Sequence, residues 1–202
     1  MKIALVGASG NAGSRILKEL SDRGHGVTAI ARNPERIAAL PGVTAVKSDV
    51  ADKSGLAALL KGHDAVVSSV RFAEGSPTLL LEAVRAAGVR RYLVVGGAAS
   101  LEVAAGQRLL DTPNFPAAYK AEATAAAAYL DMLRGVTDLD WTFLSPSALF
   151  VAGERTGKFR LGKDALLTGE KGSTVSFEDY AIALVDEIER PRHLRQRFTV
   201  GY

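Results

Sequence analysis

Gly7, Gly10 and Gly13 stand three residues apart in Gly-Ala-Ser-Gly-Asn-Ala-Gly, directly after an apolar run that ends at Val6. Residues without Cβ atoms at such a junction let the chain turn tightly and bring backbone N–H groups up to an anion, with the positive end of the next helix behind them. The chemistry this favours is diphosphate binding. The spacing is GxxGxxG rather than the GxGxxG of the common dinucleotide fingerprint, and three glycines alone also suit a plain tight turn. Their placement between a strand pattern and a helix pattern, close to residue 1, points to a phosphate cradle built from Gly7, Ser9, Gly10, Asn11, Ala12 and Gly13.

The end of the next strand selects the dinucleotide. Sites for NAD place a carboxylate about 20 residues past the glycines to accept from the ribose hydroxyl. Here the chain reads Ala29-Ile-Ala-Arg-Asn-Pro34, without an acid and with Arg32. A guanidinium there can grip a 2′-phosphate through a forked, charge-assisted contact, so the residues predict NADPH in preference to NADH, with Arg36 able to share the role. Arg32 could also be an ordinary solvated loop residue. Asp49 and Val50 fall where an adenine ring would lie, and Asp49 either accepts from its exocyclic amine or opens the next helical turn. Ser68, Ser69 and Val70 after one strand, and Gly96 and Gly97 after another, leave room for a nicotinamide ribose.

These residues need a scaffold that gathers strand ends along one edge. Short β-branched runs alternate with helical stripes. Ile3–Gly7, Val27–Ala31, Val43–Lys47, Ala65–Val70, Tyr92–Gly96, Asp140–Ser145 and Arg197–Tyr202 read as strands. The helix beginning near Ala12 carries Ile16, Leu17 and Leu20 on one face and stops at Gly24. Further helices are expected over Pro34–Leu40, from a cap at Asp52 or Ser54 to Gly62, and over Pro77–Ala87, Pro116–Leu133 and Phe177–Glu189. Strands without polar alternation, separated by helices, imply a doubly wound parallel α/β sheet of Rossmann type with six to seven strands, helices on both faces and right-handed crossovers. The 202 residues suit one domain, with residues from about 145 to 202 supplying the substrate side.

Composition narrows the class. With 48% hydrophobic and 23% charged residues the chain is an ordinary folded protein. A net charge of +3 gives no argument for a nucleic-acid partner, although Arg190, Arg192, Arg195 and Arg197 crowd together. The absence of cysteine removes disulfides, thiolate nucleophiles and iron–sulfur clusters, and no metal-ligand spacing appears. No apolar run of membrane length or signal pattern occurs, so the expectation is a cytoplasmic protein acting on a small molecule without a membrane partner, with a homodimer left open.

The segments Gly7-Ala-Ser-Gly-Asn-Ala-Gly13, Ala31-Arg-Asn-Pro-Glu35, Ser48-Asp-Val50 and Leu144-Ser-Pro-Ser-Ala-Leu-Phe150 resemble the atypical short-chain dehydrogenase/reductases with an NAD(P)H-binding domain. Within them the chain is most similar to the bacterial NADH-flavin reductase group, relatives of biliverdin reductase B and of the NmrA-like proteins, through to the closing Arg195-Gln-Arg-Phe-Thr-Val-Gly-Tyr202. The resemblance implies a Rossmann fold, a reduced nicotinamide cofactor and a conjugated acceptor such as FMN, FAD or riboflavin. It also admits a non-catalytic redox sensor of NmrA-like type, or an enzyme of the nucleotide-sugar epimerase or dehydratase kind.

One departure bears on mechanism. Catalytic members of the wider superfamily carry a Lys four residues after the active Tyr, on the same helical face. Here Tyr119 is followed at once by Lys120, about 100° round a helix, and position 123 is Ala. Ser100 and Tyr119 are therefore the candidate catalytic residues, each with a plain alternative: Ser100 as a turn residue, Tyr119 as packing beside the pocket. A flavin ring delocalises the added charge and takes its proton from water, so the missing lysine suits flavin better than a ketone. Phe72 and Phe150 could floor a flat acceptor or simply pack, and Pro146 should fix the chain's exit into that wall. The cationic run Arg155, Lys158, Arg160 and Lys163 faces either solvent or an anionic substrate. His25, His63 and His193 are expected as surface caps, and Trp141 as core.

Overall fold

The computed structural model describes residues 1–74 and 76–202. In chain order its elements are β1 (Lys2–Val6), α1 (Asn11–Asp22), β2 (Gly26–Ala31), β3 (Val43–Lys47), α2 (Lys53–Leu60), β4 (Ala65–Ser68), α3 (Ser76–Ala87), β5 (Arg91–Val95), β6 (Glu102–Ala104), β7 (Gln107–Arg108), α4 (Lys120–Arg134), β8 (Asp140–Ser145), β9 (Leu149–Val151), β10 (Arg160–Gly162), β11 (Thr174–Ser176), α5 (Phe177–Glu189) and β12 (Gln196–Gly201).

The central strands form because both of their faces are apolar. Ile3, Ala4, Leu5 and Val6 of β1 are all buried, as are Val66 and Val67 of β4 and Leu93 and Val94 of β5. A strand with no polar face needs helices on both sides, and the sheet obtains them. The order is β10-β12-β8-β5-β4-β1-β2-β3, parallel except for β10. On one face α1 lays Ile16, Leu17 and Leu20 beside Tyr180, Leu184 and Ile188 of α5. On the other, Leu56 and Leu60 of α2, Leu80 and Val84 of α3, and Leu130 and Leu133 of α4 close over Val66, Tyr92 and Trp141. Each such fully buried side chain contributes about 1.5–3 kcal/mol through the hydrophobic effect.

The doubly wound class is as expected, and Val43–Lys47, Asp140–Ser145 and Phe177–Glu189 fall on the predicted boundaries. The departures have local causes. The expected Pro34–Leu40 helix is a single 3₁₀ turn, Pro34–Arg36: it buries no residue, Ile37 is already extended, and Leu40 precedes a proline that disfavours helix. Strand four stops at Ser68 rather than Val70, because the chain bends over the glycine turn after Ser69 donates its amide to the Val6 carbonyl at 2.8 Å. The sheet has eight strands, not six or seven, since Arg160–Gly162 adds an antiparallel edge to β12. Trp141 is core, as expected, with its indole N–H donating to the Val136 carbonyl at 3.1 Å.

Of the histidines expected as surface caps, His63 caps the end of α2, whereas His25 and His193 are tied to carboxylates of α5. His25 is buried between the chain's first amine and Glu189, with its Nε2 2.9 Å from a Glu189 oxygen. His193 pairs with Glu187 at 2.8 Å and stacks on Phe198 with ring centroids 4.1 Å apart. His63 bridges the Thr28 hydroxyl and the Leu60 carbonyl.

Candidate functional site

The glycine turn is built without room for side chains. Gly7 sits at φ +88°, and a Cβ there would lie 2.2 Å from the Ser69 carbonyl oxygen. A Cβ on Gly13 would lie 2.1 Å from the Gly7 oxygen, so this stretch excludes any side chain at either position. Gly10 caps α1 with extended backbone and no side-chain capping bond. The first-turn amides that follow it, at Asn11, Ala12 and Gly13, are the donors a helix leaves without intrahelical partners. An uncapped helix start next to side-chain-free backbone is where an anion gains most from the helix dipole.

Beside the cradle lies a cleft of about 220 Å³ running along the carboxyl ends of β1, β2, β3 and β4. It gathers Gly7, Ser9 and Gly10, then Arg32 and Arg36, Asp49 and Val50, and Ser69, Val70 and Arg71. These come from four separate stretches of sequence, brought together by the order of the strands. Three guanidiniums face two carboxylates in its lining, those of Asp49 and Glu74. Arg32 and Arg36 make no ion pair among the described residues, so the β2 end of the cleft carries uncompensated positive charge.

The expected site residues divide on inspection. Gly7, Ser9, Gly10, Arg32, Asp49, Val50, Ser69 and Val70 share the cleft. Asp49 spends Oδ1 on the Ala51 amide at 2.9 Å, the self-bond of an Asx turn, which leaves Oδ2 as its second acceptor. Ser68 is buried in the sheet and does not line the cleft, because side chains alternate along a strand and Ser69 takes the outward place. Gly96 and Gly97 lie further along the same edge. A Cβ on Gly96 would enter the Phe143 ring at 2.1 Å, so packing alone already demands glycine there.

The aromatic floor is not formed. Phe72 is buried against Tyr129 and Phe143, at 5.7 and 6.1 Å between centroids, in the core beneath α3 and α4. Phe150 packs on Phe177 and Tyr180, at 4.5 and 4.6 Å, with the α1–α5 layer. The sheet separates them. Pro146 is buried at the end of β8.

Nor are Ser100 and Tyr119 a hydrogen-bonded pair. The Ser100 hydroxyl accepts from Arg197 at 3.3 Å, and Arg197 is anchored by Asp164. Tyr119 ends a 3₁₀ turn before α4, is 67% exposed and makes no side-chain hydrogen bond among the described residues. Ala123, where a lysine would stand, is buried. In the cationic run, Arg155 is committed: its guanidinium grips both oxygens of buried Glu19 at 2.8 Å, which ties the loop after β9 to α1. Arg71 and Glu74 were missed in the sequence. Arg71 directly follows the predicted strand four, which was the available signal.

A parallel sheet in this order, with a side-chain-free turn opening its first crossover helix and a cationic cleft at the strand ends, defines a Rossmann-type dinucleotide-binding protein. The chain belongs to the NAD(P)H-binding family, whose model matches residues 7–191. A Burkholderia pseudomallei protein described as a candidate exported protein is 48% identical, with all of both chains covered and a TM-score of 0.91. A candidate epimerase from Bacteroides thetaiotaomicron is 40% identical over 100% of this chain and 96% of its own, with a TM-score of 0.94. A candidate NADH-flavin reductase from Streptococcus pneumoniae is 38% identical over 100% and 99%, with a TM-score of 0.86. Among the described residues no helix is long and apolar enough to cross a membrane.

Proposed function

We propose that this protein is a cytoplasmic NADPH-dependent reductase that passes hydride to a flavin or a similar conjugated acceptor. The observation that carries the cofactor choice is the end of β2, where Arg32 and Arg36 line the cleft while Glu35, between them, is exposed outside it, so that no carboxylate of this strand end is placed to receive a ribose hydroxyl. The cradle suits a diphosphate because α1 starts at Gly10 without a side-chain cap, which leaves its first-turn amides to an anion. In this reading the Asn11, Ala12 and Gly13 amides hold the diphosphate, and Arg32 with Arg36 holds the 2′-phosphate. The nicotinamide, when bound, supplies the hydride.

The chain's own part is orientation. Gly96 and Gly97, at the end of β5, keep that strand end low, and buried Pro146 fixes the exit of β8. Neither Tyr119 nor Ser100 is set up as a proton donor, and an acceptor protonated by water needs none. The description of the Streptococcus pneumoniae relative as a candidate NADH-flavin reductase supports this acceptor class. The epimerase reading, favoured by the Bacteroides relative, meets the missing lysine at position 123. A sensor that binds the dinucleotide without reaction draws on the same lack of a bond between Ser100, which accepts from Arg197, and Tyr119. Purified protein given NADPH and FMN, followed at the nicotinamide absorbance, separates the readings. Oxidation that persists in Tyr119→Phe is expected, and tight binding without oxidation overturns the reductase.

A further inference from the structure

The bend after β4 supplies Ser69, Val70, Arg71 and Glu74 to the cleft wall. Its start is fixed locally, by the Ser69 amide on the Val6 carbonyl and by the contact of Ser69 with Gly7. Its middle is held from a distance. Glu122, in the first turn of α4, accepts the Phe72 amide at 2.7 Å with Oε1 and the Ala73 amide at 2.9 Å with Oε2. The Arg71 Nε lies 3.8 Å from that same Oε2. One carboxylate therefore engages two successive peptide N–H groups and borders the guanidinium just before them.

Such a bond is charge-assisted in both arms, and it fixes peptide planes rather than a side chain. Docking the bend on α4 does not need it. The Phe72 ring, buried between Tyr129 and Phe143, already does that. What the carboxylate adds is the orientation of the backbone immediately after Val70 and Arg71, the two residues that close the cleft opposite Arg32. The helix that in the wider superfamily carries an acid–base pair here carries a tie to the cofactor wall.

We propose that Glu122 is a positioning residue: it holds residues 70–73 in the shape that binds the adenosine half of the dinucleotide, since Val70 and Arg71 share the cleft with Arg32 and Asp49 and not, as the sequence implies, with Gly96 and Gly97. The inference rests on the reading that the cleft takes NADPH. Without the clamp the wall is free to move, and bound cofactor must order it, which weakens binding without changing the reaction once the site is full.

The test uses the full chain and Glu122→Gln, which keeps the side chain's length but removes the charge and sets an NH2 donor against one of the two amide N–H groups. Asp131→Asn, a charge loss on the exposed far end of α4, is the control. Fluorescence titration should show NADPH held about tenfold more weakly by Glu122→Gln, about 1.4 kcal/mol. Turnover at saturating NADPH should stay near the parent's while the melting temperature falls by a few degrees, and Asp131→Asn, which loses only the exposed pair with Arg134, should keep the parent's NADPH affinity and turnover. Amide exchange adds a readout that needs no reaction: Phe72 and Ala73 should exchange faster in the variant, and more slowly in the parent once NADPH is added. Unchanged NADPH affinity, or an equal loss in Asp131→Asn, overturns the proposal. If Glu122→Gln does not fold, exchange at Phe72 and Ala73 in the parent decides, and indifference to NADPH overturns it. A parent that binds no NADPH at all instead defeats the reading of the cleft.

Discussion

Replacing Arg32 by alanine removes an exposed guanidinium that lines the cleft and has no ion-pair partner among the described residues. Stability should hardly change, since surface substitutions of this kind stay within about 0.5 kcal/mol. Binding should change selectively. Hydrogen bonds to charged groups contribute about 1.5–3 kcal/mol, and the openness of this site to water argues for the lower half of that range. Arg36 borders the same space and retains part of the attraction. A loss of about 1.5–2 kcal/mol follows, or roughly 10- to 30-fold in the dissociation constant for NADPH. NADH lacks the phosphate and should be held within about twofold of the parent value. Titration of both cofactors at low and high salt adds a second signature. The parent's NADPH affinity should fall with salt and the variant's should fall less, because an exposed charge contact is screened. Equal losses for NADPH and NADH, or an unchanged salt response, would refute the assignment of Arg32 to the 2′-phosphate.

Gly13→Ala should be far more damaging than Gly10→Ala: the new Cβ meets the Gly7 oxygen at 2.1 Å in the first case and at 3.3 Å in the second. A loss of about 2–3 kcal/mol with NADPH binding abolished is expected for Gly13→Ala, checked by denaturant unfolding and titration, against a modest change for Gly10→Ala. Burial works to raise the Glu19 carboxyl, but hydrogen bonds from Arg155 and Arg23 outweigh it and hold the group below its ordinary value of 4.5. A depressed carboxyl stabilises the fold above its unfolded value and loses that contribution as pH falls through the folded one. Glu19→Gln should therefore cost about 2 kcal/mol near neutrality, discounted for the exposure of Arg155, or roughly 4–8 °C in melting temperature. The gap should narrow as pH drops below 4.5, and a gap that stays constant with pH would count against the ion pair.

The parts of this molecule that can be read from sequence are those fixed by neighbours within about a dozen residues. The glycine turn, the buried strands and the Asp52 cap, which accepts from the Gly55 amide at 3.0 Å, all have their cause in the segment that shows them. The place of Arg32 in the cleft was legible for the same reason, since it depends only on where β2 ends. What escaped depends on which face of the sheet a segment takes. Phe72 and Phe150 both follow strands and look equivalent in sequence, yet one sits under α4 and the other beside α5. Arg155 appears as one member of a solvated run until Glu19, 136 residues away, is seen to hold it. Glu122 is the sharpest case. Read along its helix it is an acidic residue in a first turn, favourable to the dipole and otherwise unremarked. Only the crossover that brings α4 beside the bend after β4 turns it into the acceptor of two amides 50 and 49 residues away. Helix α4 thus bears on the cleft through a carboxylate on backbone, not through a tyrosine and a lysine. A search for the superfamily's acid–base pair would pass over it.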